Sequence, residues 1–347
     1  MAEIEIGKIV SAIPIPAFFV GANFRVQVPN DAAREIFGPE IEGRHYVTAL
    51  RQPAILRAIE AAVSEGRRVV GQYTVSGPVS ERKFRVTAAL LEGGAPQGVL
   101  VCLEDVTPVY EAGQMRRDFV ANVSHELRTP LTALLGFIDT LQGPAREDAK
   151  ARDRFLSVMA REAQRMNRLV GDLLSLSRVE FSEKQMPDAT VDLGEILSAS
   201  VATLATDTAG DRLKLDIAGV DPSIDQVRGD TDQLRQVFNN LIENALKYGG
   251  ETAPVEVTLS AVPQDLYLRT RSLRVDVQDR GPGIASHHIP RLTERFYRVD
   301  AHRSRELGGT GLGLAIVKHI VQRHRGRMAI TSETGAGSCF SVIIPVA

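Results

Sequence analysis

The sequence predicts a multidomain α+β protein: a small mixed domain over residues 1–108, a helical hairpin over 109–184 and a C-terminal α/β sandwich over 190–347. Three observations carry this. A chain of 347 residues is too long for one ordinary domain. From Val109 to Val179 the apolar residues recur at steps of three and four, as an amphipathic helix requires. On either side, short β-like runs bounded by glycine and proline alternate with helical stretches.

Composition narrows the classes. Forty-one basic against forty-three acidic residues give a net charge of −2, which excludes the strong field of a nucleic-acid or anionic-membrane binder, so no nucleic-acid partner is expected. Cys102 and Cys339 fit no metal-ligand spacing and read as buried free thiols of a reducing cytosol. The apolar run Ile9–Val20 is short, is interrupted by Pro14 and Pro16, and lacks the basic start and cleavage pattern of a signal peptide. No membrane segment is expected in this chain, and a cytoplasmic location follows.

In the first domain, Ala17–Val20 and Phe24–Val28 flank a hairpin turn, Asp31–Phe37 and Ala54–Ser64 read as helices, and Val69–Val75, Lys83–Leu91 and Gly98–Leu103 read as strands, the last two separated by the turn Glu92–Pro96. Two strands, small helices and three further strands suggest an α+β sensor fold.

The hairpin begins with a helix through Phe119–Leu131, whose seam takes Val120, Val123, Leu127 and Leu134. His125 lies two residues from both Val123 and Leu127, a rotation of roughly 200°, so its imidazole points to solvent. Glu126 stands beside it and Thr129 one turn further on the same face. Pro130 leaves the carbonyl of Glu126 without its helical donor and favours a bend there. Gly143-Pro144 ends this helix, and a second runs from about Asp148 to Val179. Its stripe of Phe155, Met159, Met166, Leu169, Leu173 and Leu176, with Glu162 the one polar member, is too long for the hairpin to cover alone; a homodimer closing a four-helix bundle would bury it.

In the third domain, Asp192–Thr206 reads as a helix, Leu213–Ile217 as a strand and Thr231–Tyr248 as a strong helix, followed by strands Val255–Leu259, Leu266–Leu268 and Leu273–Gln278. On the strong helix Asn240, Asn244 and Lys247 recur on one face, two amides and an ammonium that suit a magnesium ion carrying phosphates. Asp279, at a strand end before Gly281, Gly283 and Ile284, suits a ligand amine beside a flat ring. Gly308 to Leu314, with Gly309, Thr310, Gly311, Leu312 and Gly313, opens the helix Ala315–Arg323 and turns backbone N–H groups and a favourable dipole toward phosphate.

These strings occur in a specific order. SHELRTPL around His125 resembles the phosphoacceptor box of sensor histidine kinases; QVFNNLIENALKY, ending in Tyr248, resembles their N box; DRGPGI from Asp279 their G1 box; ERFYRVD, with Phe296 and Arg298, their F box; and GGTGLGL their G2 box. Together the five boxes resemble the HisKA-type kinases from about Gln114 to Ala347, and the hairpin sequence is similar to that of phosphate-regulon sensors. The first domain resembles a PAS domain, and Glu104-Asp105-Val106-Thr107 looks like the ending at which such domains pass into a helix.

The resemblance implies a Bergerat (GHKL-type) ATP-binding sandwich with ATP and Mg2+ as cofactors. Asp279 would receive the adenine amino group, Asn240 and Asn244 would serve the metal, and Arg298 would reach the phosphates. His125 would take the γ-phosphoryl group, with Glu126 orienting the imidazole and acting as general base, and would pass it to an aspartate of a response-regulator receiver. Thr129, assisted by Arg128, would position water for the reverse dephosphorylation. Receiver choice would rest on Thr132, Gly136 and Phe137, and a small molecule or a protein would supply the input at the PAS domain. Such kinases usually carry membrane helices, so the chain also fits the cytosolic part of a membrane-anchored protein. A GHKL-type ATPase clamp and a catalytically silent PAS scaffold are the rival expectations.

Overall fold

Alternation along the strands decides which side chains enter each core. The computed structural model describes residues 2–76, 81–91, 97–182, 185–205, 212–222, 224–250, 252–300 and 309–347. The chain forms two compact units, Met1–Ala121 and Asn122–Ala347.

In the first unit, β1 (Ala17–Gly21), β2 (Val26–Pro29), β3 (Val69–Ser76), β4 (Glu81–Leu91) and β5 (Gly98–Asp105) form an antiparallel sheet in the order β2-β1-β5-β4-β3. Between β2 and β3 lie α2 (Asp31–Phe37), α3 (Tyr46–Leu50) and α4 (Pro53–Glu65). Phe18, Val20, Val86, Val101 and Leu103 join the core that includes residues of these helices, such as Ile55 and Ile59. Ala17 and Phe19 point the other way, against Val10 of an N-terminal helix, α1 (Ala2–Ala12). That helix was not anticipated.

Asn30 ties α1 to the sheet. Its side chain accepts from the N–H groups of Ala17 and Ala33, capping α2, and donates to the carbonyls of Ile13 and Ile15 at 2.9 and 2.8 Å. At the other end Thr107 donates its N–H to Asp105 and accepts the N–H of Lys83 through its hydroxyl, fixing the exit into the helix that follows. The expected turn Glu92–Pro96 lies outside the described residues. Strand β2 begins at Val26 rather than Phe24, because Phe24 takes a positive φ of 60° in the turn. Cys102 and Cys339 are unpaired and half-buried rather than fully enclosed.

Helix α5 (Thr107–Gln142) continues through Pro130, which is buried. In the second unit it is joined to α6 (Ala149–Ser182), with Phe137 stacked on Phe155 at 5.3 Å. Phe137, expected as a partner-facing residue, is therefore half-buried within the hairpin, whereas Thr132 and Gly136 are exposed. Val120, placed in the seam by spacing, is 58% exposed, and Leu131, Leu135, Leu156 and Leu174 are also exposed. Leu169, Leu176 and Val179 are buried where α6 packs along α9 (Gly313–Arg323).

The C-terminal sandwich has the strand order β11-β12-β10-β9-β7, with β7 (Leu213–Ala218) parallel to β9 (Val255–Val262) and the pairings among β9, β10 (Ser272–Asp279), β12 (Gly337–Pro345) and β11 (Arg327–Glu333) antiparallel. A two-stranded ribbon, β6 (Thr190–Val191) with β8 (Val227–Arg228), adjoins that sheet where Val227 bridges Val346 just past β12. Helices α7 (Leu193–Leu204), capped by Asp192, α8 (Thr231–Tyr248), capped by Asp230, and α9 cover the sheet. Thr206, where the first of these was expected to end, lies outside the described residues. Leu266–Leu268, expected as a strand, is a turn: Asp265 accepts the N–H groups of Tyr267 and Leu268, and Leu266 and Tyr267 project into solvent.

His324, just past α9, locks that helix to the start of α8. Its Nδ1 donates to the carbonyl of Ile320 at 2.7 Å and its Nε2 accepts the N–H of Asp230 at 3.0 Å, so the ring is neutral, with its proton on Nδ1. Burial pushes the imidazole below its ordinary range, reinforced by Arg323 and opposed by the Ile320 hydrogen bond and Asp230. The unfolded chain therefore binds a proton that the folded one refuses, and stability falls as pH drops below about 6.5. Urea unfolding between pH 7.5 and 5.5 should show a slope of up to about 1.4 kcal/mol per pH unit in excess of that of His324→Gln; equal slopes would remove His324 from the acid response.

Candidate functional site

Period-two alternation brings Leu273, Val275 and Val277 of β10 to the helix-covered face, and the next inward position is Asp279. It is 5% exposed, and burial pushes its carboxyl above the ordinary range against the hydrogen bonds from Gly281 and Ser338. Asp279 Oδ1 accepts the N–H of Gly281 at 2.8 Å. Gly281 is required by close approach: a Cβ there would lie 2.3 Å from the carbonyl oxygen of Tyr248. The end of α8 and the loop after β10 thus meet at one carboxylate. Two residues on, Gly283 has a φ of 67°, and the N–H of Ile284 donates to Ser332 at 2.8 Å.

Asn240, Asn244, Lys247 and Tyr248 are half-buried along α8. The Nδ2 atom of Asn240 is buried with no hydrogen-bond partner among the described residues. A 180° rotation would put its oxygen there instead, so the amide offers a donor or an acceptor with equal shape. A Cβ at Gly313 would lie 3.5 Å from the Oδ1 of Asn240, which sets the amide against the first turn of α9. Lys247 pairs with Glu243 at 2.9 Å, one turn earlier on α8. An orphaned amide, a second amide and a lysine beside a helix N-terminus fit a metal–polyphosphate group; among the described residues no cluster of three or more His, Cys, Asp or Glu side chains could hold an ion without one.

The loop opening α9 folds back on the segment of Phe296. Gly311 has a φ of 75° and its carbonyl accepts the N–H of Phe296, which itself has a φ of 64°. Thr310 Oγ1 accepts the N–H of Leu312 at 3.3 Å, and Leu312 is buried beneath the loop. Gly309 is half-buried; Gly308 lies outside the described residues.

On α5, His125 is exposed, as are Arg128 and Thr129. The Thr129 hydroxyl donates to the main-chain carbonyl of His125 at 3.1 Å. Glu126 departs from its expected place at the imidazole: its Oε2 accepts from Arg165 Nη2 at 2.9 Å and from Arg298 Nη2 at 3.0 Å. Arg298, expected on phosphates, also donates to the carbonyl of Thr310 at 3.0 Å, while its buried Nε has no partner among the described residues. The neighbour of His125 is thereby joined through one arginine to the glycine loop. Sequence reasoning missed Arg165, whose partner lies 39 residues away, and Asp172, whose Oδ2 accepts from the Thr310 hydroxyl at 2.7 Å. Asp172 could have been noticed, because it falls three residues after Leu169 and four before Leu176, a position the apolar face should occupy.

The chain matches two family profiles: His Kinase A (phospho-acceptor) domain over residues 115–182, and Histidine kinase-, DNA gyrase B-, and HSP90-like ATPase over residues 229–347. It is 41% identical over 273 residues to the phosphate regulon sensor protein PhoR of Pseudomonas aeruginosa, covering 77% of this chain and 58% of that protein. It is 33% identical to the sensor protein kinase WalK of Staphylococcus aureus strain Newman, over 92% of this chain and 52% of that protein. The chain thus spans just over half the length of these two relatives. Another WalK sequence of Staphylococcus aureus is 33% identical over 327 residues, with 92% of this chain and 76% of that protein covered. Among solved structures, the histidine kinase ThkA in complex with response regulator protein TrrA superposes with a TM-score of 0.50 at 19% identity over 98% of both chains, a likeness of fold. With the acceptor profile on the hairpin, the ATPase profile on the sandwich and kinase relatives along nearly the whole length, the chain belongs to the sensor histidine kinase family.

Proposed function

We propose that this chain is an ATP-dependent protein histidine autokinase that phosphorylates His125 and passes the phosphoryl group to an aspartate of a response-regulator receiver. The observation that carries the reading is an exposed histidine whose neighbour, Glu126, is joined through Arg298 to the glycine loop at the start of α9. Asp279 receives the adenine amine, with Gly281, Gly283, Ile284 and Tyr248 completing that end of the nucleotide site and Phe296 serving it from the segment that meets Gly311. Asn240 and Asn244 would hold Mg2+, which would offset phosphate charge; Lys247 and Arg298 would serve the phosphates, and the N–H groups of Gly309 to Gly313 would face them.

Positioning and charge do most of the catalysis in such a transfer. The neutral imidazole attacks the γ-phosphorus, the bond to the leaving ADP oxygen breaks, and Glu126 takes the proton from the other ring nitrogen once Arg298 has turned to the phosphates. Thr129, with Arg128, positions water for hydrolysis of the phosphorylated receiver.

The exposed apolar residues Leu131, Leu135, Leu156 and Leu174 on the hairpin support a homodimer with a four-helix bundle. The strand order β2-β1-β5-β4-β3 with helices between β2 and β3 supports a PAS-like sensor over 1–108, followed by the hairpin over 109–184 and the catalytic sandwich over 190–347. Among the described residues no helix is long and apolar enough to cross a membrane. Incubation of the purified chain with γ-labelled ATP and Mg2+ tests the reading: protein-bound label that survives base and is lost in acid is expected, and measurable ATP binding without any label contradicts it.

A further inference from the structure

Thr310 is held at both ends. Its carbonyl accepts from Arg298, whose other partner is Glu126 of α5, and its hydroxyl donates to Asp172 of α6 at 2.7 Å. A carboxylate from each hairpin helix therefore takes a donor of the phosphate region: Glu126 takes Arg298, and Asp172 takes Thr310. The contact with Asp172 lies along the side of α6 that packs on α9, between the buried Leu169 and Leu176, with Ser175 bonded to Gln236 of α8 at 2.8 Å and Glu180 to Arg295. These bonds seat the nucleotide-binding sandwich on α6. Burial pushes the Asp172 carboxyl above its ordinary range, with Glu243 adding to the rise and the Thr310 bond, Lys247 and Arg168 opposing it.

We propose that Asp172 restrains the phosphate loop: its carboxylate and the phosphates of a nucleoside triphosphate compete for the Thr310 hydroxyl, so α6 holds the sandwich back from phosphoryl transfer until that bond is exchanged. This rests on the reading of residues 309–313 as the triphosphate loop. The half-buried Asp172 carboxylate also repels the incoming polyphosphate, so the restraint acts on ATP and not on the nucleoside. Rotation of Arg298 from Glu126 to phosphate would then break one of the two bonds on the glutamate beside His125 and leave the bond from Arg165.

The test uses the full chain. Titration calorimetry with Mg·ATP and with adenosine on the wild type, Asp172→Ala and Asp172→Asn should show ATP binding roughly ten-fold tighter in Asp172→Ala, a smaller gain in Asp172→Asn, and unchanged adenosine binding, as expected for loss of one charge-assisted hydrogen bond. ATP binding to Asp172→Ala that equals or falls below wild type would overturn the proposal. Amide hydrogen exchange of residues 309–313 without nucleotide tests the contact independently: exchange about ten-fold faster in Asp172→Ala supports it, and unchanged exchange sinks it. Failure of the wild type to bind ATP would instead overturn the nucleotide reading of the loop.

Discussion

His125→Ala is expected to abolish covalent labelling by γ-labelled ATP, a loss of at least 10³-fold, while ATP affinity stays within about two-fold of wild type. The imidazole is exposed on α5, and the residues assigned to the nucleotide lie on α8, β10 and the loops before α9. Removing the nucleophile deletes the bond that forms and leaves the binding groups in place. An exposed helical position also tolerates alanine well, so unfolding in urea should move by no more than about 0.5 kcal/mol. The comparison separates the kinase from an ATPase clamp, for which the substitution would matter little. Undiminished labelling of His125→Ala would exclude this residue as the acceptor.

Asp279→Asn is expected to weaken ATP binding about 100-fold, close to 3 kcal/mol, with autophosphorylation falling in step. Asp279 is 5% exposed, so little water can substitute for a lost partner. One oxygen already accepts from Gly281, and an asparagine oxygen can keep that bond, preserving the loop. The other side of the amide then presents N–H groups to the adenine amine, donor against donor, where the carboxylate offered an acceptor. The fold should survive, since β10 keeps its pairing with β9 and β12. Equilibrium binding of a fluorescent ATP analogue, paired with a thermal melt, checks both halves; unchanged affinity would remove Asp279 from the nucleotide site.

Much of the fold was legible where period and caps agree. The Thr231–Tyr248 helix was bounded correctly because Asp230 caps it and six apolar residues share one face. Strand β10 was found through Leu273, Val275 and Val277, and the inward turn of Asp279 follows from the same alternation. Leu266–Leu268 misled because three apolar-rich residues look like a strand, whereas Asp265 captures two backbone N–H groups and forces a turn. Strands β11 and β12 were not named, although β12 pairs along all of β10. In the site, residue types and order led to Asn240, Asp279 and the glycine loop. The links of Glu126 to Arg298 and of Asp172 to Thr310 were not legible, since they join residues 172 and 138 positions apart and depend on how the sandwich seats on α6.

The most direct measurement of the central claim is peptide mapping of the phosphate after brief incubation of the full chain with Mg·ATP, quenched in base. The expected result is a single phosphorylated peptide containing His125, its modification stable in base and lost in acid, present in wild type and strongly reduced in Asp279→Asn. Phosphate on another peptide, or on His125 to the same extent in Asp279→Asn, would contradict transfer from a nucleotide held at Asp279 to the histidine of α5.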